Sequence, residues 1–122
     1  GANDIYLGRP RAESVQALEG LVRWSAGEGF APFVVAAPPL AEADLEARSA
    51  ALKDALAQIC RDRGAPFLDL PEAVDDWSVW RAEAQAGDGV HPNAQGYAKV
   101  ASVFAAWPPW RDWLEGPRWQ MV

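Results

Sequence analysis

The sequence predicts an α/β fold, in which helices cover a parallel sheet, and three observations lead to this prediction. Two short runs, residues 32–37 and 66–70, are mostly apolar. Strands of a parallel sheet have this pattern because helices bury both of their faces. The segments beside these runs repeat apolar residues every three to four positions, which is typical of amphipathic helices. Helices and strands that alternate in this way favour a layered α/β domain.

The first half of the chain contains the clearest elements. Residues 3–10 include Gly8 and Pro10 and indicate a loop. Residues 12–27 form an amphipathic helix that glycines end. A second helix covers residues 44–63, and Gly64 caps it. Its inward face comprises Leu45, Ser49, Leu52, Leu56, Ile59 and Cys60. We interpret Cys60 as a small buried hydrophobic residue.

The second half is less regular. Residues 71–83 indicate a loose helix or a loop, and residues 87–93 a loop. Asn93 can cap a last helix, which Pro108 and Pro109 stop. The residues expected to face inward on that helix are Tyr97, Val100, Ala101, Phe104 and Trp107. We predict a domain over residues 1–107 and a Trp-rich tail over residues 108–122.

The tail has two interpretations, which rest on Trp107, Trp110, Trp113 and Trp119. These side chains either pack the tail over the core, which we favour, or form an aromatic surface for a sugar, an acyl chain or a partner protein.

Composition limits the classes of protein to which the chain can belong. The 122 residues weigh 13.2 kDa, half of them are hydrophobic and 23% are charged, which is typical of one globular domain. The net charge of −6 repels phosphate backbones, so we expect no nucleic-acid partner. One Cys and one His exclude an intrachain disulfide and a structural zinc site, which needs about four ligands. The most apolar run, residues 30–41, contains three prolines, so we expect no membrane span.

Two strands are too few for a stable parallel sheet, because both edges would stay open. We therefore expect further strands outside this chain. They would precede Gly1, because Asn3 and Asp4 are typical of a loop at the carboxyl end of a strand. The alternative is a compact α+β domain with a third strand that the pattern does not reveal.

The only histidine is the first candidate for chemistry. Asp88 lies three residues before His91, between two glycines that permit a tight turn. A carboxylate on one ring nitrogen selects the tautomer and leaves the other nitrogen to act as a general base. The pair would form two thirds of a nucleophile triad. In the alternative interpretation Asp88 caps a turn and His91 is a solvated loop residue.

The second candidate is Asn3. A side-chain amide at the end of a strand can donate a hydrogen bond to a developing oxyanion. Taken alone, Asn3 and Asp4 are ordinary turn residues.

The two segments together resemble blocks of the SGNH hydrolases, the GDSL-type esterases and lipases. Residues 1–4 read Gly-Ala-Asn-Asp and are similar to the Gly-x-Asn-Asp block. Residues 88–92 read Asp-Gly-Val-His-Pro and are similar to the Asp-x-x-His-Pro block, and residues 93–97 continue in the family's manner. The resemblance extends to about Trp107, with specific motifs only at its two ends.

This resemblance implies a three-layer α/β/α flavodoxin-like sandwich whose N-terminal strands are absent from this chain. It implies that Asn3 is an oxyanion-hole donor, His91 the base and Asp88 its orienting acid, while Asp4 braces the loop. The implied reaction is hydrolysis of small-molecule carboxylic esters without a cofactor or a metal. Trp77 and Trp80, just before the His91 loop, are the candidates for substrate contacts.

The nucleophile is the main departure from the family. The Gly-Asp-Ser block and the block with a second oxyanion donor, a glycine, are absent. The serines of the chain are Ser14, Ser25, Ser49, Ser78 and Ser102. None follows Gly-Asp, and Ser78 is the least implausible substitute. We therefore expect an N-terminal segment or a companion chain to supply the serine, and this chain alone to be inactive.

Three alternatives remain open. A non-enzymatic binding or assembly domain would use the Trp-rich surface on the same fold. A glycosidase would use Asp4 and Asp88 as acid and base, at a separation of about 5–9.5 Å. Asp75 and Asp76 would form either a metal or acid pair or, as we favour, a surface turn.

Overall fold

The computed structural model describes residues 1–116. The helices and strands follow one another as α1 (Ala2–Tyr6), α2 (Arg11–Gly27), β1 (Val34–Val35), α3 (Ala43–Arg63), β2 (Phe67–Leu68), α4 (Leu70–Ala73), α5 (Ser78–Ala86), α6 (Ala94–Ala106) and α7 (Pro108–Glu115). None of the helices among residues 1–116 has the length and apolar content needed to cross a bilayer.

The two strands form a parallel pair, as the sequence predicts. Val34 is paired with Phe67 and Val35 with Leu68. The N–H of Val34 donates to the Pro66 carbonyl at 3.0 Å, and that of Ala36 donates to the Leu68 carbonyl at 2.9 Å. Within residues 1–116 there is no third strand. The described chain is therefore a helix-rich α/β structure around a small parallel sheet.

The expectation that both strands are buried on both faces is wrong for β1. Val34 is half-buried, but Val35 remains 41% exposed. The reason is that a strand in a sheet of two lies at an edge, where the described residues cover its outer side incompletely.

Helix α3 confirms the prediction made from its apolar spacing. Leu52 and Cys60 are buried on its inward face. Gly64 ends the helix at a φ of +67°, a left-handed conformation that favours glycine. The N–H of Ala65 then donates to the Cys60 carbonyl at 2.9 Å. Arg63 at this end bonds Glu19 of α2 at 2.5 Å, which joins the two longest helices.

Two apolar clusters hold the structure together. The first joins α1, α3 and the segment after β1 through Ile5, Leu40 and Leu52. The second contains Leu68, Leu70 and Val74, against which part of α6 packs. Between them, Lys53 of α3 lies 2.8 Å from the carboxylate of Asp69, the residue that caps α4. The Asp69 carboxylate raises the pKa of Lys53, because it stabilises the charged ammonium.

The N-terminal loop prediction is wrong, because residues 2–6 form α1. The N–H of Leu7 donates to the Asn3 carbonyl at 2.9 Å, and the Asp4 carboxylate lies 2.5 Å from the Gly1 nitrogen. This contact is a capping arrangement that stabilises a first turn. Gly8, at a φ of +68°, follows Leu7, the C-terminal cap of the helix.

Residues 71–83 are more ordered than a loose helix or a loop. They contribute to α4 and α5, with residues 74–77 between the two helices. Asp76 fixes the start of α5, because its carboxylate accepts the Ser78 N–H at 2.9 Å and the Ser78 hydroxyl at 2.8 Å.

The inward face of α6 is as predicted for Val100, Phe104 and Trp107, but not for Tyr97 and Ala101. Tyr97 is 49% exposed and Ala101 is also exposed. Gly96 and Val103 belong to the inward side as well.

The two prolines after α6 stop that helix and begin α7. Proline fits the first turn of a helix because the N–H that it lacks has no partner there. Trp107, Trp110 and Trp113 surround the Phe33 ring at centroid distances of 5.8, 5.8 and 5.7 Å. The described part of the tail therefore packs against the segment that leads into β1. Trp119, which the sequence places in the same tail, lies outside the described residues.

Candidate active site

A cavity of about 650 Å³ is lined by a candidate residue from each of the two sequence motifs, the one at residues 1–4 and the one at residues 88–92. Asn3 of α1 and His91 both line it, although 88 positions separate them in the chain. Its walls also include side chains from the segment after β1, from α5 and from α6. The lining residues are Ala2, Asn3, Tyr6, Pro38, Pro39, Leu40, Ala41, Trp80, Arg81, Ala84, Gln85, Gly89, Val90, His91 and Tyr97.

Asp88 and His91 form a pair in the loop between α5 and α6. His91 Nδ1 lies 2.7 Å from Asp88 Oδ2. The other carboxylate oxygen, Oδ1, accepts the N–H of Val90 at 2.8 Å and that of His91 at 2.7 Å. A single carboxylate therefore shapes the backbone of the loop and contacts the ring.

These contacts define the protonation of the pair. The hydrogen bonds from the His91 N–H, the His91 ring and the Val90 N–H hold the pKa of Asp88 well below its ordinary value of 3.8. The carboxylate is therefore ionised at neutral pH and can only accept hydrogen bonds. In the neutral ring the proton must then lie on Nδ1, and Nε2 keeps a lone pair that can accept a proton.

Gly89 makes this tight loop possible. Its φ of +85° lies in a region that L side chains rarely adopt. The Gly89 N–H donates to the Ala84 carbonyl at 2.8 Å, and that of Gly87 donates to the same carbonyl at 3.1 Å. The end of α5 thus holds the loop that carries Asp88 and His91.

Glu83 is a site residue that the sequence analysis missed. Its carboxylate accepts the N–H groups of Asn93 at 2.9 Å, Gln95 at 3.3 Å and Gly96 at 2.8 Å. The side chain of Asn93, which the sequence predicts as the cap of α6, makes no capping hydrogen bond. Glu83 therefore replaces it as the cap and ties α5 to the exit of the His91 loop. Its contacts are 10–13 positions away in the chain, and no local pattern signals a cap from that distance.

Gly96 permits this close approach. A Cβ atom at Gly96 would lie 2.6 Å from Pro92 Cβ and 3.0 Å from Glu83 Oε2. Real Cβ atoms do not come so close to another carbon. The glycine thus lets the start of α6 pack against the proline that follows His91.

Asn3 is exposed on α1 and lines the cavity, while Asp4 does not. The Asp4 carboxylate instead contacts the Gly1 nitrogen at 2.5 Å and Arg9 at 3.7 Å. Hydrogen bonds from the Gly1 nitrogen and from Ser14 lower the pKa of Asp4. Asp4 is thus engaged within its own segment and Asp88 with His91, and the structure shows no shared site for the glycosidase alternative.

Trp77 and Trp80 differ in their position relative to the cavity. Trp80 lines the cavity, with the Tyr97 ring at 5.5 Å in a T-shaped contact. Trp77 does not line it and lies behind Trp80, also T-shaped at 5.5 Å. The Trp77 Nε1–H donates to the Pro71 carbonyl at 3.1 Å. The structure therefore brings Trp80, but not Trp77, to the face that a ligand would contact.

The remaining candidates lie away from the cavity. None of the five serines lines it, and the Ser78 hydroxyl donates to Asp76. Asp75 pairs with Lys99 at 2.8 Å, so Asp75 and Asp76 belong to a surface turn, as favoured. Cys60 is fully buried, and burial raises the pKa of its thiol.

A histidine oriented by a carboxylate, at a cavity that also contains a side-chain amide, is typical of hydrolases that transfer acyl groups. Comparison with known families agrees with this class. A model of the GDSL-like lipase/acylhydrolase family matches residues 1–99, and the chain belongs to this family of SGNH hydrolases.

One relative is similar over much of the chain. The GDSL lipase Rv0518 of Mycobacterium tuberculosis (strain ATCC 25618 / H37Rv) is 37% identical over 75 residues. The match covers 62% of this chain and 32% of the relative, so it corresponds to about a third of that lipase's length.

Proposed function

We propose that this chain carries the histidine, the aspartate and one oxyanion donor of a serine-type hydrolase of carboxylic esters. The observation that supports this most is the convergence of Asn3 and His91 on one cavity. The Asp88 carboxylate, 2.7 Å from Nδ1, leaves Nε2 available as a base. The substrate is a small-molecule ester, and the reaction uses no cofactor.

In this proposal the nucleophile is a serine that does not belong to the 122 residues. His91 Nε2 takes its hydroxyl proton while the serine oxygen attacks the ester carbonyl. The Asn3 amide donates to the oxyanion that forms. Collapse of the intermediate expels the alcohol, which receives the proton from His91. Water, activated by the same ring, then releases the acid and restores the serine.

The same proposal completes the sheet. An N-terminal segment or a companion chain adds strands beside β1, giving the three-layer flavodoxin-like sandwich and the serine together. Two observations support it. β1 has an open edge with Val35 41% exposed, and large apolar side chains near the end of α2 are exposed, with Trp24 at 57% and Phe30 at 62%. By this proposal the 122-residue chain alone is inactive.

Labelling with a serine-directed fluorophosphonate tests the proposed function. A preparation that includes any polypeptide natively joined to or associated with this chain should label and should hydrolyse short acyl esters. His91→Ala should abolish turnover and leave the far-UV circular dichroism spectrum unchanged. A complete preparation that neither labels nor hydrolyses esters contradicts the proposal, as does a His91→Ala variant with full activity.

The same experiment separates the proposal from a non-enzymatic binding or assembly domain on this fold. That alternative relies on the Trp-rich surface, yet Trp107 and Trp110 are half-buried against Phe33. Their packing reduces the aromatic area left for a partner, and we therefore prefer the enzyme.

A further inference from the structure

The charge of the cavity lining differs from that of the whole chain. The chain has 17 Asp and Glu and a net charge of −6, but no Asp or Glu is among the lining residues that the structure describes. Arg81 is the one Lys or Arg among them. Charges farther away than about 8 Å are largely screened at physiological ionic strength. Two carboxylates lie just outside the lining, that of Glu46 at 3.4 Å from Arg81 and that of Asp88 at 2.7 Å from the His91 ring. An anion inside the cavity would therefore be attracted chiefly by direct contact with Arg81, at the end away from Asp88.

Arg81 has the capacity to bind such an anion. One of its nitrogens, Nη2, lies 3.4 Å from Glu46 Oε1, and both side chains are about half exposed. An exposed pair of this kind is weak. A guanidinium has five N–H donors in a planar fork that fits a carboxylate or a phosphate. The contact with Glu46 uses only one nitrogen.

The wall between Arg81 and His91 is mostly apolar, with Gln85 as its polar member. One side of α5 faces the cavity, because its lining residues lie one helical turn apart, Trp80 with Ala84 and Arg81 with Gln85. His91 is in the loop that follows this helix. The helical rise puts roughly 10 Å between Arg81 and the start of that loop. Leu40, Pro39 and Tyr97 also line the cavity. A hydrocarbon chain placed there would contact carbon along its length.

We propose that the substrates are esters that carry an anionic group, a carboxylate or a phosphate, at a distance from the ester carbonyl. Arg81 binds the anionic group, Trp80 and Tyr97 pack against the hydrocarbon between, and the carbonyl lies at His91. This assignment of a substrate class rests on the proposed function. Glu46 competes with the substrate for Arg81.

Calorimetric titration of the full chain with non-reacting ligands tests this inference, since binding requires no serine. The probes are the monomethyl esters of adipic and suberic acid, compared with methyl hexanoate and methyl octanoate. We expect at least one half-ester to bind about tenfold more tightly than its neutral counterpart. Arg81→Gln should remove this preference. Arg48→Gln, a matched loss of charge on α3 at an exposed residue outside the cavity lining, should keep it.

A second variant gives the opposite change. Glu46→Gln should increase the preference for the half-ester, because it removes the competing carboxylate. The inference is wrong if neither kind of ester binds, if the wild-type chain shows no preference, or if Arg81→Gln retains it. Failure of the fluorophosphonate experiment together with an intact preference would refute hydrolysis and leave the anion selectivity standing.

Discussion

Asp88 has two tasks that a single substitution can separate. One oxygen binds two backbone N–H groups and the other binds the His91 ring. An asparagine can still accept the backbone hydrogen bonds through its oxygen. Its NH₂ group would then face Nδ1 as a donor, which disfavours a proton on that nitrogen.

We predict that Asp88→Asn keeps the fold and reverses the tautomer of His91. The protonated nitrogen should change from Nδ1 to Nε2, which removes the lone pair needed for base catalysis. Nitrogen-15 NMR measures this without overlap, because the chain has one histidine. In the proposed serine hydrolase we expect turnover to fall roughly 10²–10⁴-fold. Unchanged ring nitrogen shifts would contradict the prediction.

The lowered pKa of Asp88 also gives a prediction for acid stability. Its contribution is present above the ordinary pKa of 3.8 and is lost as the pH falls through the lower pKa of the folded state. The free energy of unfolding of the native chain should therefore decrease between about pH 4 and pH 2 more than that of Asp88→Asn. Urea unfolding at a series of pH values measures both slopes, and parallel curves would refute the idea.

Two glycines should respond to alanine in opposite directions. Gly89 has open space around it but a φ of +85°, so Gly89→Ala should destabilise the chain by about 1–2 kcal/mol. Gly20 also has open space and lies inside α2, so Gly20→Ala should stabilise it by about 0.5–1 kcal/mol. Chemical unfolding of both variants makes the comparison. A neutral Gly89→Ala would mean that the loop does not require the left-handed conformation.

At the scale of elements, the link between α5 and α6 is what holds the His91 loop. Glu83 reaches forward from α5 to three N–H groups at the start of α6. The positive end of the α6 dipole adds to this attraction. Both ends of the loop are thus fixed, one by the Ala84 carbonyl and one by Glu83.

We predict that Glu83→Gln destabilises the chain by about 1–2 kcal/mol, because it replaces a charged acceptor at a helix start with a neutral amide. The matched control is Glu28→Gln, an exposed residue just after α2, which should change stability by less than about 0.5 kcal/mol. Equal effects of the two substitutions on the midpoint of urea unfolding would show that the cap contributes nothing.

Sequence patterns predicted the elements whose signals are local. Helix α3 has a regular apolar stripe and a terminal glycine, and both strands have short apolar runs. α7 was missed because two prolines are as compatible with the first turn of a helix as with its end. The inward face of α6 could be predicted in part: Val100 and Phe104 pack inward, whereas Tyr97 lines the cavity, a position that its apolar ring does not signal. The Asp88–His91 contact could be predicted from its spacing, whereas Arg81 and Glu83 act through contacts that only the folded chain reveals.

At the scale of the whole molecule, the two-stranded sheet has an open edge at β1 within the described structure. Val34 and Ala36 direct their N–H groups toward β2, so the polar backbone groups of Val35 point the other way. An open, apolar strand edge is a surface on which another strand can pair.

We predict that Val35→Lys lowers self-association of the 122-residue chain, because a charge on an edge strand opposes pairing with a second strand. Leu114→Lys introduces the same charge at a residue of α7 that is 46% exposed, and it should have no such effect. Sedimentation velocity over a range of concentrations measures the difference. An equal decrease for both variants would point to general charge repulsion and away from the edge.

One side of the candidate site is compact along the chain, although Asn3 and residues 38–41 reach the cavity from elsewhere. Residues 80–97 contain the aromatic wall, the arginine, the cap, the aspartate and the histidine. A continuous segment this short can be transferred to another protein as one piece. Grafting it onto the equivalent helix–loop–helix of a related scaffold would move the Asp88–His91 pair, its Glu83 cap and Arg81 together, while Asn3 would have to come from the recipient.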